Sequence, residues 1–166
     1  TTVSGRFVDF PGVEQMTGLF MNVLPTRVPI SDDSDWVDWL AQLQQAEAQV
    51  RPFEHLTLDQ IKEWINWPAH QELFDCLFVY GNFLKDGLAV GELEIEDFSG
   101  GFTSTYPLTL RVNPVEALAF DLRYDTHWLT EQEMQWMEQQ LLAMIAAILN
   151  DPIQKVQTLR EKISPL

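Results

Sequence analysis

A general base working at neutral pH is most often a histidine, and this chain carries three, His55, His70 and His127. His55 falls between two expected helices, His70 in an expected loop and His127 just ahead of the last helix. None stands beside a serine, cysteine or aspartate in a nucleophile motif, so each reads as a surface or loop histidine. Cys76 is the single cysteine and has no partner for an internal disulfide. No cluster has metal-ligand spacing, so no metal site is expected. Ser99-Gly100-Gly101 is rich in glycine but lacks the lysine and the strand-to-helix context of a phosphate loop. Glu92, Glu94 and Glu96 alternate with Leu93 and Ile95, the pattern of a solvated strand face and not of converging carboxylates. The five methionines read as core filler.

Asn22 is more informative. It shares parity with Phe20, Leu24 and Thr26 in the run Leu19-Phe20-Met21-Asn22-Val23-Leu24, which reads as a strand covered on both faces. An unpaired amide in a dry interior costs about 1–3 kcal/mol, so Asn22 must meet a partner, a water or a cavity. Either it makes a structural hydrogen bond to a neighbouring loop, or the strand borders a polar channel in which an amide orients a substrate. Periodicity leaves both open.

The elements that position these residues follow from pattern. Residues 1–5 read as the end of a strand, followed by a loop through Pro11 and Gly12. Ser31-Asp32-Asp33-Ser34 starts a helix, with Ser34 or Asp33 as N-cap and Asp35 in the first turn. Trp36, Trp39 or Leu40, Leu43, Ala46 and Val50 then recur at helical spacing. Thr57-Leu58-Asp59-Gln60 is a capping-box pattern that opens a short helix. Residues 73–80 are a continuous apolar stretch suited to a sheet interior, 83–91 a loop, and 91–97 an alternating strand. Leu108, Leu110 and Val112 alternate with Thr109 and Arg111, and Leu118, Phe120, Leu122 and Tyr124 with Asp121 and Arg123. Thr130 and Glu133 form a second capping box, opening the longest helix with Met134, Met137, Leu141, Met144, Ile145 and Ile148 as its stripe. Asn150-Asp151-Pro152 stops it, and a polar tail runs to the end. The expected fold is an α+β sandwich.

Composition sets the outer bounds. The chain has 166 residues, 46% of them hydrophobic, enough for one compact domain and unlike disordered, collagenous or coiled-coil sequences. With 25 acidic against 10 basic residues its formal charge is −15. Such a surface repels phosphate, so neither nucleic acid nor an anionic membrane is an expected partner. No apolar run approaches the roughly 20 residues of a membrane span, and no signal peptide opens the chain. A cytoplasmic location is expected. The absence of an initiator methionine suggests a portion of a longer polypeptide.

Several stretches together resemble one family. Gly12 through Arg27 (Gly-Val-Glu-Gln-Met-Thr-Gly-Leu-Phe-Met-Asn-Val-Leu-Pro-Thr-Arg) is similar to a signature of the condensation domains of nonribosomal peptide synthetases. Thr2-Val3-Ser4-Gly5-Arg6 resembles the strand and turn before it, and Phe53-Glu54-His55-Leu56-Thr57-Leu58 the aromatic–acidic motif after it. Leu73-Phe74-Asp75-Cys76-Leu77-Phe78-Val79 resembles the next strand, and Thr105-Tyr106-Pro107-Leu108-Thr109-Leu110 an Asn-Tyr-Pro-Leu strand of a common subgroup. The final helix and Asn150-Asp151-Pro152 resemble the way these domains end. Five motifs in order are strong evidence where one is weak. Val23 replaces a usual Thr, which removes a hydroxyl near Asn22, and Gly81-Asn82-Phe83 replaces Glu-Asn-Tyr.

The resemblance implies an αβα sandwich, the later part of the C-terminal lobe of a chloramphenicol-acetyltransferase-like fold. In that fold two lobes form a V around a tunnel, which the phosphopantetheine arms of donor and acceptor carrier proteins enter from opposite ends. The implied reaction is attack of an acceptor amine on a donor thioester. Residues 1–151 would be condensation domain and 152–166 a tail or linker toward a following adenylation domain. Asn22, with Phe20 and Gly18, would line the substrate channel. Arg6, Gly12 and Met16 would belong to its floor loop, and 83–91 would lie near a latch. No cofactor is expected to bind directly beyond those carrier arms. Family members carry His-His-x-x-x-Asp-Gly in the N-terminal lobe, and this chain has no His-His pair. No catalytic residue is therefore expected here, the N-terminal lobe is an expected partner, and the chain alone is expected to be inactive. Two alternatives remain. One is the lobe of an epimerization domain, against which Leu24-Pro25-Thr26-Arg27 argues. The other is a non-catalytic module that recruits a carrier or tailoring enzyme.

Overall fold

The computed structural model describes residues 1–7, 9–81, 104–114 and 117–162. The expected loop at 83–91, the strand at 91–97 and Ser99-Gly100-Gly101 lie outside them. The chain divides into two compact units, Thr1–Leu73 with Thr130–Leu166, and Phe74–Leu129. Helices and two sheets make it α+β, as expected.

In the first unit β1 (Thr2–Val3) and β2 (Asn22–Val23) pair antiparallel, Thr2 opposite Val23 and Val3 opposite Asn22. The apolar run before Leu24 is thus strand only at its end. Gly5 turns the chain away at φ +66°, so no part of β1 is left to pair with residues 19–21. Leu19 is 95% exposed as a result, and only Leu24 of the run is buried. The strand covered on both faces is not formed.

Ala, Gln, Leu and Glu, all good helix formers, fill α1 (Trp36–Val50). It begins later than expected. Its N-cap is Asp35, not Ser34 or Asp33, and the Asp35 side chain makes no capping bond. The cap comes from the far end of the chain instead. The Trp36 N–H donates to the Gln154 carbonyl at 2.9 Å, and the Val156 N–H to that of Ser34 at 3.0 Å. Arg160 Nη1 donates to both carboxylate oxygens of Asp32, at 2.6 and 2.8 Å. The expected polar tail therefore contains a helix, α4 (Val156–Glu161), with Val156 and Leu159 buried. Six residues are too few for a helical period to be legible in sequence.

Gln154, 6% exposed, fastens this clasp. Its Nε2 donates to the carbonyls of Ala147 and Asp151 at 2.8 and 2.6 Å, and its Oε1 accepts from Lys162 Nζ at 2.8 Å. No residue of α1 is buried. Trp36, Trp39 and Leu43 are half-buried, whereas Leu40, Ala46 and Val50 of the expected stripe are exposed.

Both capping boxes form. Thr57 accepts from the Gln60 N–H at the start of α2 (Leu58–Trp64), and Thr130 from that of Glu133 at the start of α3 (Glu131–Asn150). Asn66, at φ 54°, closes α2 in the left-handed conformation that asparagine tolerates. On α3 Met134 is buried, and the rest of the predicted stripe is half-buried.

In the second unit β3 (Cys76–Tyr80) runs parallel to β4 (Leu108–Asn113), which pairs antiparallel with β5 (Ala119–Tyr124). β3 is buried on one face only: Leu77 and Val79 are inside, Phe78 and Tyr80 exposed, so the stretch is not a two-sided interior strand. On β4 the expected polar position Thr109 is the most buried of the described residues, 1% exposed. It lies opposite Leu77, which places it on the buried face. Phe74 and Tyr106 stack with ring centroids 5.1 Å apart.

Candidate functional site

The residues singled out by resemblance gather in the first unit around the turn after β1. Ser4-Gly5-Arg6 turns tightly, with the Arg6 N–H donating to Ser4 Oγ at 3.2 Å. A Cβ on Gly5 would lie 1.8 Å from the Phe20 carbonyl oxygen, so only glycine lets the two segments cross here. Arg6 then folds back over its own loop. Its guanidinium donates to the carbonyls of Val13 and Met16, the latter at 2.9 Å, and lies 4.2 Å from the centroid of the Phe20 ring. Gly12, at φ 82°, opens the 3₁₀ turn Val13–Gln15. The loop borders an open hollow of about 640 Å³ lined by Phe7, Phe10, Val13, Asp9 and Glu14. Three expected loop residues, Arg6, Gly12 and Met16, thus belong to one hydrogen-bonded loop. Gly18 packs against it through the Phe20 ring, which would stand 3.0 Å from a Gly18 Cβ.

Asn22 meets the turn that follows α1. Its Nδ2 donates to the carbonyls of Glu54 at 2.8 Å and Leu56 at 2.7 Å, and its Oδ1 accepts the Val23 N–H at 2.8 Å. These partners fix which amide atom is nitrogen and which is oxygen. Both amide hydrogens are committed to backbone carbonyls. What Asn22 retains is acceptor capacity at Oδ1, not a donor for a developing oxyanion. The structural hydrogen bond weighed from sequence is present, and the amide is half-buried.

Glu54 was not a site residue on sequence grounds, being only one letter of a motif. It is nonetheless 8% exposed, and its Oε2 accepts the Gly5 N–H at 3.2 Å. It sits just past a 3₁₀ turn (Arg51–Phe53), where no periodic pattern marks it as inward. An acidic residue between Phe53 and the capping box was the one available signal.

The other chemical candidates stay apart. His55, His70 and His127 are all exposed, as expected. His127 Nδ1 lies 2.7 Å from Asp125 Oδ1, and hydrogen bonds from the His127 N–H and ring hold the Asp125 carboxyl below the usual range. Partial burial pushes the Cys76 thiol up, which lowers its thiolate fraction at neutral pH. Among the described residues no three His, Cys, Asp or Glu side chains are grouped to hold a metal ion. No described helix is long and apolar enough to cross a membrane.

Comparison with known proteins decides the family. The family model described as Condensation domain matches residues 1–161. The chain belongs to the condensation-domain family. A linear gramicidin synthase of Brevibacillus parabrevis is 36% identical over 166 residues, covering 96% of this chain and 3% of that protein. Surfactin synthase subunit 3 of Bacillus subtilis (strain 168) is 30% identical over 164 residues, covering 96% of the chain and 13% of that protein. Tyrocidine synthase 2 of Brevibacillus parabrevis is 31% identical over 161 residues, covering 91% and 4% respectively. The chain therefore spans a small part of the curated relatives it matches. Its α+β architecture is that of a condensation-domain portion, in keeping with a chloramphenicol-acetyltransferase-like fold.

Proposed function

We propose that this chain is the later part of the C-terminal lobe of a nonribosomal peptide synthetase condensation domain. In that role it helps form amide bonds between a carrier-tethered acyl or aminoacyl donor and a carrier-tethered aminoacyl acceptor. The observation that carries this reading is the family match across residues 1–161. The hydrogen-bonded Asn22 strand and Arg6 loop give it a physical form. Aligning two tethered reactants demands rigid walls, since orientation can supply a large share of the rate of such a step. Two amide bonds from Asn22 and two guanidinium bonds from Arg6 supply rigidity at the segments read as channel wall and floor.

With no His-His pair in this chain, the reactive imidazole belongs to the N-terminal lobe, and the chain alone is inactive. Its partners are then that lobe, the donor and acceptor carrier proteins that bring phosphopantetheine arms, and a downstream adenylation domain. Residues 152–166 are the approach to that domain, with α4 docked back on the first unit. Asn22, Phe20 and Gly18 face the substrate channel through Asn22 Oδ1 and the Phe20 ring. Mixing this chain with an N-terminal lobe carrying His-His-x-x-x-Asp-Gly, plus two loaded carrier proteins, tests the reading. Dipeptidyl transfer that needs both parts is the expected result. Transfer by this chain alone, or none from the intact parent domain, overturns it.

A further inference from the structure

We propose that Glu54 is a positioning residue that locks the Arg6 loop and the Asn22 amide into one frame, so that the floor and wall of the substrate channel keep a fixed spacing. The proposal rests on the condensation reading for its function and on the geometry of Glu54 for its substance. Glu54 is one of four buried polar side chains among the described residues, and the Arg6 loop lies well over thirty residues away from it in sequence. The side chain and main chain of this one residue point at different elements. Its Oε2 accepts the Gly5 N–H, and its carbonyl accepts Asn22 Nδ2. Gly5 immediately precedes Arg6, whose guanidinium holds Val13 and Met16. A single residue thereby joins the loop to the strand.

The frame is held from behind as well. The Glu54 N–H donates to the Arg51 carbonyl at 3.1 Å and the Leu56 N–H to that of Phe53 at 3.0 Å, so the carbonyls facing Asn22 sit on a closed turn. Gly5 has no side chain of its own and adopts φ +66°, a conformation that needs an outside restraint to be the only one populated. The Glu54 carboxyl supplies it. Without that acceptor, Gly5 becomes a hinge, and the loop bearing Arg6 and Met16 swings relative to Asn22.

The test compares Glu54→Ala, Glu54→Gln and Asn22→Ala in the intact parent condensation domain with loaded carrier proteins. Hydrogen exchange across residues 5–16 is measured on the same samples. For Glu54→Ala the loss of one buried hydrogen bond predicts about a tenfold faster exchange at Gly5 and the loop, and a kcat lower by about tenfold. The KM for either carrier should stay within about twofold, because a positioning residue acts on the orientation of bound reactants and not on their binding. Glu54→Gln keeps an oxygen for the Gly5 N–H and should restore both quantities. A purely structural role would lower the folded fraction without slowing the folded enzyme, which a thermal melt on each variant separates from a change in kcat. Unchanged loop exchange in a folded Glu54→Ala protein overturns the proposal, whatever the activity. Faster exchange with unchanged kcat, while Asn22→Ala slows turnover, overturns it as a positioning claim and leaves the condensation reading standing. If the parent domain forms no amide bond, the condensation reading fails, and the exchange result alone decides whether Glu54 holds the frame.

Discussion

Replacing Asn22 with Asp isolates one physical contrast: the shape is almost unchanged, but both hydrogen-bond donors are gone. In the native chain the two Nδ2 hydrogens meet the Glu54 and Leu56 carbonyls at 2.8 and 2.7 Å. Each such bond contributes about 0.5–1.5 kcal/mol net, so their loss alone costs about 1–3 kcal/mol. An ionised carboxylate adds repulsion, because its oxygens then face two carbonyl oxygens at hydrogen-bond distance. Asn22→Ala loses the same two bonds and also the acceptor of the Val23 N–H, about 0.5–1.5 kcal/mol more. It escapes the repulsion from two facing carbonyls, which outweighs that one bond, so Asp should be the worse of the two. For a chain of this size about 1–3 kcal/mol corresponds to a fall in Tm of roughly 2–12 °C. The Asp penalty has a pH signature. In the folded state this carboxyl has its pKa raised, since the neutral form can donate to one carbonyl, so part of the loss is recovered as pH falls below about 5. Urea melts of the three proteins at pH 7 and pH 4.5 measure this. If Asn22→Asp matches wild type, or exceeds Asn22→Ala in stability at pH 7, the Asn22 hydrogen bonds do not hold this turn.

Four other substitutions separate effects of different size. Thr109 is 1% exposed and its Oγ1 has no hydrogen-bond partner among the described residues, so Thr109→Val should be neutral or stabilising by up to about 1–2 kcal/mol in a urea melt. A clear loss of stability would mean that the hydroxyl is paired. Gln154→Ala removes three hydrogen bonds from a buried amide and should cost about 2–4 kcal/mol, whereas Arg160→Ala breaks an exposed ion pair worth about 0–1 kcal/mol. Equal losses from the two would refute the view that Gln154 fastens α4. The Asp125 carboxyl is lowered by the His127 N–H first and by the ring second, and Glu133 by the Thr130 N–H. A depressed folded pKa contributes stability that is complete above the unfolded value of about 4 and fades as pH falls through the folded one. In an NMR titration His127→Ala should raise the Asp125 pKa only part of the way, since the backbone bond remains.

Local signals survived well. The capping boxes at Thr57 and Thr130 predict helix starts that the structure reproduces, because a capping box is satisfied within four residues and needs no tertiary partner. The α3 stripe and the β4–β5 alternation were likewise legible as elements. Errors arose where distant chain segments compete. The apolar run before Leu24 reads as a strand, yet strand pairing needs a neighbour, and Gly5 removes it. The sequence points to Ser34 or Asp33 as the N-cap of α1, yet the Gln154 carbonyl serves the Trp36 N–H from more than a hundred residues away. Alternation puts Thr109 on the polar face, yet its pairing with Leu77 puts it on the buried one. The candidate site divides in the same way. Gly18, Phe20, Asn22, Arg6, Gly12 and Met16 came from motif resemblance, whereas Glu54 became visible only through its two bonds.

The order of residues alone settled the α+β class, the capped helices, the acidic surface and, through five ordered motifs, the family to which the chain belongs. All of these depend on neighbours a few positions apart or on composition, quantities that a linear string carries. The pairing of Asn22 with the Glu54 turn, the fold-back of Arg6 and the clasp of α4 on α1 were decided in three dimensions. The first and last join groups more than thirty residues apart, and Arg6 reaches across an irregular loop that carries no periodic signal, so in each case a donor takes whichever acceptor the folded chain brings within reach.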